Sequence, residues 1–159
     1  MSRGSRRSRH EVPVRHTESA EDYLKTIWDL EAGHGRATTS EIARRLEVAP
    51  ASATGMVKRL SGLGLVDHKP YHGVTLTESG RRTALRVVRR HRLIESFLVR
   101  IMDVPRDRVH DEAERWEHVL SEDMEDRIDE LLGHPDCDPH GSPIPARDAT
   151  TPRTPEELP

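Results

Sequence analysis

The chain contains 159 residues, a length that suits one or two small domains. Hydrophobic residues make up 33% of it and only 3% are aromatic, which favours a mainly helical core of Leu, Val, Ile and Ala. No run approaches the ~18 apolar residues that a membrane span needs, and the single cysteine, Cys137, excludes a disulfide framework and a multi-cysteine zinc finger. The basic N-terminus has no apolar segment behind it, so we expect no secretory signal and a cytoplasmic protein.

The formal net charge of −3 conceals an uneven distribution of charge along the chain. Residues 1–100 contain 19 Lys and Arg against 11 Asp and Glu, whereas residues 101–159 contain 6 against 17. A basic half favours a polyanionic partner, and an acidic half favours cations.

The N-terminal region is predicted to contain a basic arm and then a helix. Residues 1–16 are rich in Arg and Ser and lack periodicity, which is typical of a disordered arm that either solubilises the chain or contacts phosphate loosely. A helix is predicted to start at 17–19, because apolar residues then recur at helical intervals. Ser19 is its predicted cap, with Asp22 at capping-box spacing, and the Gly-His-Gly run at 33–35 ends it.

The next part of the sequence has the order of a helix-turn-helix followed by a wing. Thr38 and Glu41 have the spacing of a capping box that opens one short helix, and Pro50 suits the first turn of the next. Two β-prone pieces flank the turn-like tetrad at 70–73 and predict a hairpin. We therefore predict a winged helix-turn-helix DNA-binding domain over 17–78.

The second helix of this pair has the residue types of a recognition helix, which enters the major groove with its N-terminal residues at base edges. Ser52 and Thr54 offer hydroxyls to bases or phosphates, and Ala51 offers a methyl to thymine. A packing unit without DNA binding is the alternative, and the hairpin and the basic charge balance favour DNA. The candidate DNA-binding residues are Thr39, Ser40, Arg44, Pro50, Ala51, Ser52, Thr54, Lys58 and Lys69.

The rest of the sequence is predicted to form a second helical domain and a tail. A long helix capped by Thr77 is followed by predicted helices over 105–120 and 122–132, which together make a helical domain over 79–133. Residues 134–159 contain seven prolines, which predicts an extended or disordered tail.

The segment 110–118 places four potential metal ligands on one stripe of a helix. At about 100° per residue, Glu114, Glu117 and His118 fall within about 80° of His110. Glutamates packed side by side cost free energy unless a cation offsets their charge. The stripe therefore indicates a metal site, and a solvated acidic face is the alternative.

Two further elements offer ligands to the same site. His91 and Glu95 share a face of the long helix at i, i+4 spacing, a pattern that alone is more typical of a surface hydrogen bond. Asp22 on the first helix is a further candidate carboxylate. Oxygen and imidazole ligands without a thiolate suit manganese or iron(II) better than a soft-ligand zinc or copper(I) site.

Five segments that carry these motifs share a resemblance to one family. They read EDYLKTIWDLE at 21–31, TSEIARRLEVAPASATGMVKRLSGLGLV across the helix-turn-helix, TLTESGRR at 75–82, RRHRLIESFL at 89–98 and VHDEAERWEHVLS at 109–121. They look like the diphtheria toxin repressor family of metal-dependent bacterial repressors. The resemblance covers about 17–133, with a fainter echo in HGSPIP at 140–145.

The resemblance implies a homodimer whose chains each have an N-terminal winged helix and a helical metal-binding and dimerisation domain. Divalent metal bound between the two domains would fix the spacing of the recognition helices for a palindromic operator. Double-stranded operator DNA and a second copy of the chain are the expected partners, and neither a membrane nor a small organic ligand is expected. By matched position, the implied ligands are Asp22, His91, Glu95, His110, Glu114, Glu117 and His118.

Two positions make the sequence similar to the manganese-responsive branch of this family. The iron-responsive branch typically has Met where Asp22 stands and Cys where Glu114 stands, so Mn²⁺ is the expected cofactor and Fe²⁺ the alternative. Some manganese regulators have Glu where this sequence has Lys25, which leaves the number of bound ions open. The surroundings of His110 look more like the iron branch, which allows a hybrid second site.

Two other functions are alternatives to a metal-dependent repressor. A metal-independent winged-helix repressor would bind DNA equally well in chelator and in manganese. A small metallohydrolase is disfavoured, because the sequence has no HExxH motif and no Ser/His/Asp grouping. We therefore expect a regulator and no enzymatic activity.

Overall fold

The computed structural model describes residues 16–148, so residues 1–15 of the predicted basic arm and residues 149–159 of the predicted tail lie outside the described part. The predicted mainly helical fold with a small wing is confirmed. None of the helices in this range has the length and apolarity to cross a membrane. The elements are α1 Glu18–His34, α2 Thr39–Arg45, α3 Pro50–Gly62, β1 Val66–Lys69, β2 Gly73–Leu76, α4 Glu78–Arg100, α5 Val109–Trp116 and α6 Glu122–Leu131.

Helix α1 begins at a different cap from the one predicted. Thr17 has extended backbone angles and its side chain accepts a hydrogen bond from the backbone N–H of Ala20. Ser19 already lies within the helix, so the predicted Ser19 cap is wrong, because only a residue with a non-helical backbone can cap the first turn. The predicted end is confirmed, since Gly35 adopts the left-handed conformation with φ 76°.

The helix-turn-helix and the wing form as predicted. The Thr38–Glu41 capping box has both of its hydrogen bonds, and Pro50 occupies the first turn of α3. Strands β1 and β2 pair antiparallel, and Ala37 adds an isolated bridge to Val74 of β2. Apolar residues from α1, α2, α3, the hairpin and the start of α4 share one core, which orients the exposed face of α3 towards solvent.

Helix α4 connects the winged part to the C-terminal part of the chain. Thr77 caps it as predicted, and its 23 residues extend to Arg100. Its end packs against α5 in a second, smaller core of Ile94, Leu98, Val109 and Ala113. This single long helix therefore contributes to both cores.

Helix α5 is shorter than the predicted helix over 105–120. The carbonyl of Pro105 accepts hydrogen bonds from the backbone N–H groups of Arg108 and Val109, so the residues before α5 form a turn. At the other end, the Val119 N–H bonds to Trp116 three residues back, which tightens the chain into a turn at 117–119. The last part of the predicted ligand stripe therefore follows the helix.

Helix α6 forms where it was predicted, and the residues that follow it pack against α4. Ser121 caps α6, and Gly133 has φ 74° just beyond its end. Residues 134–148, called the C-terminal segment here, contain no helix but bury Ile144 and form a bridge between Cys137 and Pro143. Turns and bends make up much of this segment, and a backbone hydrogen bond from Gly141 to Asp138 closes one of them, so the predicted extended state does not describe it.

Candidate metal centre

The first cluster of potential ligands joins α1 to the turn after α5. Asp22, Glu117 and His118 each offer one ligand atom, and these atoms lie within 4.8 Å of one another. His118 Nε2 donates to Asp22 Oδ1 at 2.8 Å, and His118 Nδ1 donates to Glu21 Oε2 at 2.7 Å. The cluster thus connects residues almost one hundred positions apart in the sequence.

The second cluster lies on α4 and α5 and consists of His91, Glu95 and His110. Glu95 Oε1 lies 3.0 Å from His91 Nε2 and 3.3 Å from His110 Nδ1, and the two imidazole nitrogens lie 3.1 Å apart. The two rings meet edge to face, with centroids 4.7 Å apart. Glu95 is buried whereas His110 is exposed, so the cluster opens to solvent on the α5 side.

Glu117 connects the two clusters and is fully buried, with 0% exposure. Its Oε2 accepts a hydrogen bond from His91 Nδ1 at 2.5 Å, and its Oε1 lies 2.6 Å from Lys25 Nζ and 3.5 Å from His118 Nε2. A buried carboxylate requires compensation by positive charge and hydrogen bonds. Three cationic groups provide it here.

The histidines of the two clusters have raised pKa values. Burial lowers the pKa of His91, but hydrogen bonds to Glu117 and Glu95 outweigh it and raise the pKa to about 9. Burial likewise lowers the pKa of His118, and hydrogen bonds to Asp22 and Glu21 raise it to about 10. In this arrangement both rings are protonated at neutral pH and offset the surrounding carboxylates.

The donor set fits a divalent metal ion. Protons on the two imidazoles supply positive charge beside the carboxylates. A metal ion bound at the same position would supply that charge instead, because metal binding to an imidazole displaces its proton. The donors are carboxylate oxygens and imidazole nitrogens without a thiolate, a set suited to hard and borderline cations such as Mn²⁺ and Fe²⁺. Asp22, Glu117 and His118 would hold an ion in the first cluster, and His91, Glu95 and His110 one in the second.

Glu114 is the predicted ligand that belongs to neither group of three among the described residues. Its side chain is half-exposed, with Oε1 3.3 Å from His110 Nε2 and 4.0 Å from Lys25 Nζ. It therefore lies beside both clusters, and the Lys25 ammonium group lies between it and Glu117.

Three residues of the site region were missed by the sequence predictions. Glu21 contacts His118 directly, and its position next to Asp22 on α1 was the available signal. Asp138 and His140 form a further group of potential ligands with Glu95. The resemblance in HGSPIP at 140–145 was the signal for His140, although it carried no chemical role, and no sequence signal pointed to Asp138.

The predicted DNA-binding residues surround an exposed face of α2, α3 and the wing. Pro50, Ala51, Ser52 and Lys58 are exposed on α3, while Thr54 is half-buried and its hydroxyl donates to the carbonyl of Pro50 at 3.0 Å. The opposite side of α3 is buried in the first core. The remaining candidates are Thr39, which is half-buried, and Ser40, Arg44 and Lys69, which are exposed.

Comparisons with known proteins agree with this architecture. Residues 15–74 match the family described as iron dependent repressor, N-terminal DNA binding domain, and residues 77–146 match iron dependent repressor, metal binding and dimerisation domain. The iron-dependent repressor IdeR of Mycobacterium bovis is 41% identical over 128 residues, which are 80% of this chain and 56% of that protein. The regulator MntR of Lysinibacillus sphaericus is 40% identical over 116 residues, 73% of this chain and 83% of that protein.

A solved structure shows the same likeness in three dimensions. A manganese-dependent transcriptional repressor in complex with manganese superposes with a TM-score of 0.80 at 47% identity, covering 86% of this chain and 63% of that one. The chain thus spans less than two thirds of this protein and of the mycobacterial relative. The two family matches and the similarity to MntR over most of its length place the chain in the family of iron-dependent repressors and manganese regulators.

Proposed function

We propose that this protein is a manganese-responsive transcriptional repressor that binds palindromic operator DNA as a homodimer when loaded with divalent metal. The observation that carries the proposal is the first cluster, in which Asp22 of the winged part meets Glu117 and His118 of the C-terminal part. Metal-dependent regulators in the same family support it.

The coupling depends on how firmly α1 is held in the winged part. Glu31 of α1 accepts a hydrogen bond from the Leu76 N–H of β2 at 2.9 Å and pairs with Arg81 at 2.9 Å, so the helix that carries Asp22 is attached to the wing. A divalent ion bound in the first cluster would supply positive charge to carboxylates of both parts. Asp22 on one side and Glu117 on the other would then favour one orientation of the two parts. If operator DNA favours the same orientation, metal and DNA bind cooperatively and reciprocally.

DNA contact is assigned to the exposed face of α3 and its surroundings. Ala51 and Ser52 are small and exposed at the start of α3, which allows the helix to approach base edges closely. Arg44, Lys58 and Lys69 supply exposed positive charge for phosphates. The Thr54 hydroxyl donates to the carbonyl of Pro50, so its contribution to DNA contact is as an acceptor from a base edge.

The ligand types at the site favour manganese over iron(II) as the metal that the protein binds. Asp22 in the first cluster and Glu114 beside it provide carboxylates, which suit Mn²⁺ better than soft-ligand metals. The iron-dependent relatives keep Fe²⁺ as the alternative. Lys25 is 2.6 Å from Glu117, and its ammonium charge in that position favours one ion rather than two in the first cluster.

The decisive experiment compares Asp22→Ala with the unchanged chain and with Glu18→Ala, which alters an exposed carboxylate one turn earlier on α1. An operator is first selected from random duplexes by the manganese-loaded chain. Fluorescence anisotropy at fixed salt then measures its affinity in chelator, Mn²⁺, Fe²⁺ and Zn²⁺.

We expect Mn²⁺ to strengthen operator binding by the unchanged chain and by Glu18→Ala. Asp22→Ala should lose most of that gain, at least about tenfold, because the first cluster loses a ligand that links the two parts. Equal affinity in chelator and metal would contradict metal dependence. An undiminished response in Asp22→Ala would contradict the link through α1.

A further inference from the structure

The last full turn of α1 is joined to the wing and to α4 by the carboxylate of Glu31. Its Oε1 accepts a hydrogen bond from the Leu76 N–H at the end of β2 at 2.9 Å, and its Oε2 accepts one from Arg81 Nη2 near the start of α4, also at 2.9 Å. The Glu31 side chain is only 9% exposed, so water screens these contacts weakly. Glu31, Leu76 and Arg81 are called the α1 joint here.

The Leu76 N–H belongs to the edge of β2 that faces away from β1. Val74, two residues earlier in the strand, exchanges two backbone hydrogen bonds with Ala37 at that edge. Backbone groups two residues apart in a strand point to the same edge, so the Leu76 N–H points there too. Leu76 is buried, and a buried N–H without a partner costs free energy. Glu31 thus supplies an acceptor that the wing needs.

Glu31 and Asp22 lie on opposite faces of the same helix. Nine residues separate them, which corresponds to about 180° around an α-helix and about 14 Å along it. Asp22 faces His118 of the C-terminal part, whereas Glu31 faces the wing. Helix α1 is continuous between the two positions, and Leu24 and Ile27 are fully buried in the first core. The helix therefore connects the first cluster to the α1 joint as one element.

A second ion pair between α1 and the winged part is weaker than the α1 joint. Asp29 of α1 lies 3.7 Å from Arg45 of α2, and both side chains are largely exposed. Exposed pairs contribute little to stability because water and salt screen them. Of these two polar links, the α1 joint is shorter and better shielded, so it constrains the angle between α1 and the wing more strongly.

We propose that Glu31 is a positioning residue, through which the wing and α3 follow the orientation of α1 that the first cluster favours. Its side chain bonds to Leu76 and Arg81, away from both clusters and from the exposed face of α3. Glu31 therefore sets how much metal strengthens operator binding and leaves the intrinsic metal affinity unaltered. The inference rests on the proposed function, because it requires that metal and operator bind cooperatively.

The test compares three variants of the full chain with the unchanged chain. Glu31→Gln keeps an oxygen that can accept from the Leu76 N–H but removes the charge opposite Arg81, whereas Glu31→Ala removes both contacts. Glu78→Gln is the matched control, since it removes a carboxylate at the start of α4 that pairs with Arg82 at 2.7 Å but is exposed. Circular dichroism and urea unfolding establish that each variant is folded.

Two binding measurements separate coupling from metal affinity. Fluorescence anisotropy at fixed salt gives the operator Kd in chelator and in Mn²⁺, and the ratio of the two values is the coupling factor. Titration with Mn²⁺ in the absence of DNA gives the metal Kd. We expect Glu31→Ala to reduce the coupling factor at least about threefold and Glu31→Gln to reduce it less. The metal Kd without DNA should stay unchanged, and Glu78→Gln should alter neither quantity.

Hydrogen exchange tests the joint itself without DNA. The Leu76 amide should exchange faster in Glu31→Ala than in the unchanged chain, because its acceptor is gone, and Glu31→Gln should largely restore the slow exchange. The Val74 amide is the internal reference, since it donates to the carbonyl of Ala37 in every variant. Equal exchange of the Leu76 amide in all chains would contradict the joint.

A coupling factor in both Glu31 variants equal to that of the unchanged chain would overturn the proposal. An equal loss of operator affinity in chelator and in Mn²⁺ would also overturn it, since Glu31 would then only support the fold of the wing. Both results leave the proposed function standing. An unchanged chain that binds operator equally with and without metal would instead refute the proposed function and this inference together.

Discussion

At the scale of a single residue, Glu117 contacts both clusters of potential ligands. It is fully buried and accepts contacts from Lys25 and His91, so its charge is offset entirely by neighbours rather than by water. Lys25 is itself mostly buried, which strengthens the pair relative to a surface ion pair. Residues from α1 and α4 thus fix the position of the Glu117 carboxylate beside the other potential ligands.

We expect Lys25→Met to lower the free energy of unfolding in chelator by about 1–3 kcal/mol, because Oε1 of the buried Glu117 loses the ammonium donor that lies 2.6 Å away. Urea denaturation measures the change. The control is Arg45→Met, which removes an exposed pair with Asp29 at 3.7 Å and should cost under about 1 kcal/mol. Equal losses in the two variants would show that the Lys25–Glu117 contact adds nothing to stability.

The start of α4 packs very closely against the backbone of the residue that precedes β1. Gly80 lies in its first turn, and a Cβ atom there would be 1.9 Å from the backbone carbonyl oxygen of Leu65. Only glycine lets α4 approach the residue that precedes β1 so closely. This contact sets the angle at which α4 leaves the wing and therefore where His91 and Glu95 lie.

We expect Gly80→Ala to destabilise the fold by about 1–3 kcal/mol, because backbone atoms must move to admit the methyl group. Gly55→Ala is the matched control, since nothing lies within 4 Å of a Cβ atom at that position of α3. It should stabilise the chain by about 0.5–1 kcal/mol through helix propensity. Thermal and urea unfolding report both signs, and a neutral Gly80→Ala would refute the close contact.

At the scale of the whole molecule, the C-terminal part has a small core and exposed apolar side chains. Ile101 and Met102 directly follow α4 in the chain and are about half-exposed, whereas Ile94 and Leu98 at the end of that helix belong to the second core. Residues 77–146 match a family domain described as metal binding and dimerisation. We therefore place part of the proposed dimer interface at the end of α4.

Replacing both Ile101 and Met102 by Asp should convert the dimer to a monomer, because the change would bury charge in the interface. Light scattering after size-exclusion chromatography measures the mass. Leu63→Asp alters a similarly exposed apolar residue in the winged part and should leave the dimer intact. A double variant that remains dimeric would move the interface elsewhere.

The elements themselves were largely predictable from the sequence, because their signals are local. The Thr38–Glu41 capping box, the proline that opens α3 and the cap at Thr77 each act within one turn of helix. The errors were also local. Ser19 competed with Thr17 for the same cap, and a periodic pattern from 105 to 120 did not reveal the turns that shorten α5.

The sequence by itself determined the winged helix, the long α4 and the donor types that suit a divalent metal. Only the tertiary structure decided which donors meet, because contacts such as His118 with Asp22 depend on how α1, α4 and α5 pack rather than on spacing along the chain. Packing separated the predicted ligands into two clusters around Glu117 and left Glu114 at their edge. It also brought His140 to Glu95, a contact that no local pattern encodes.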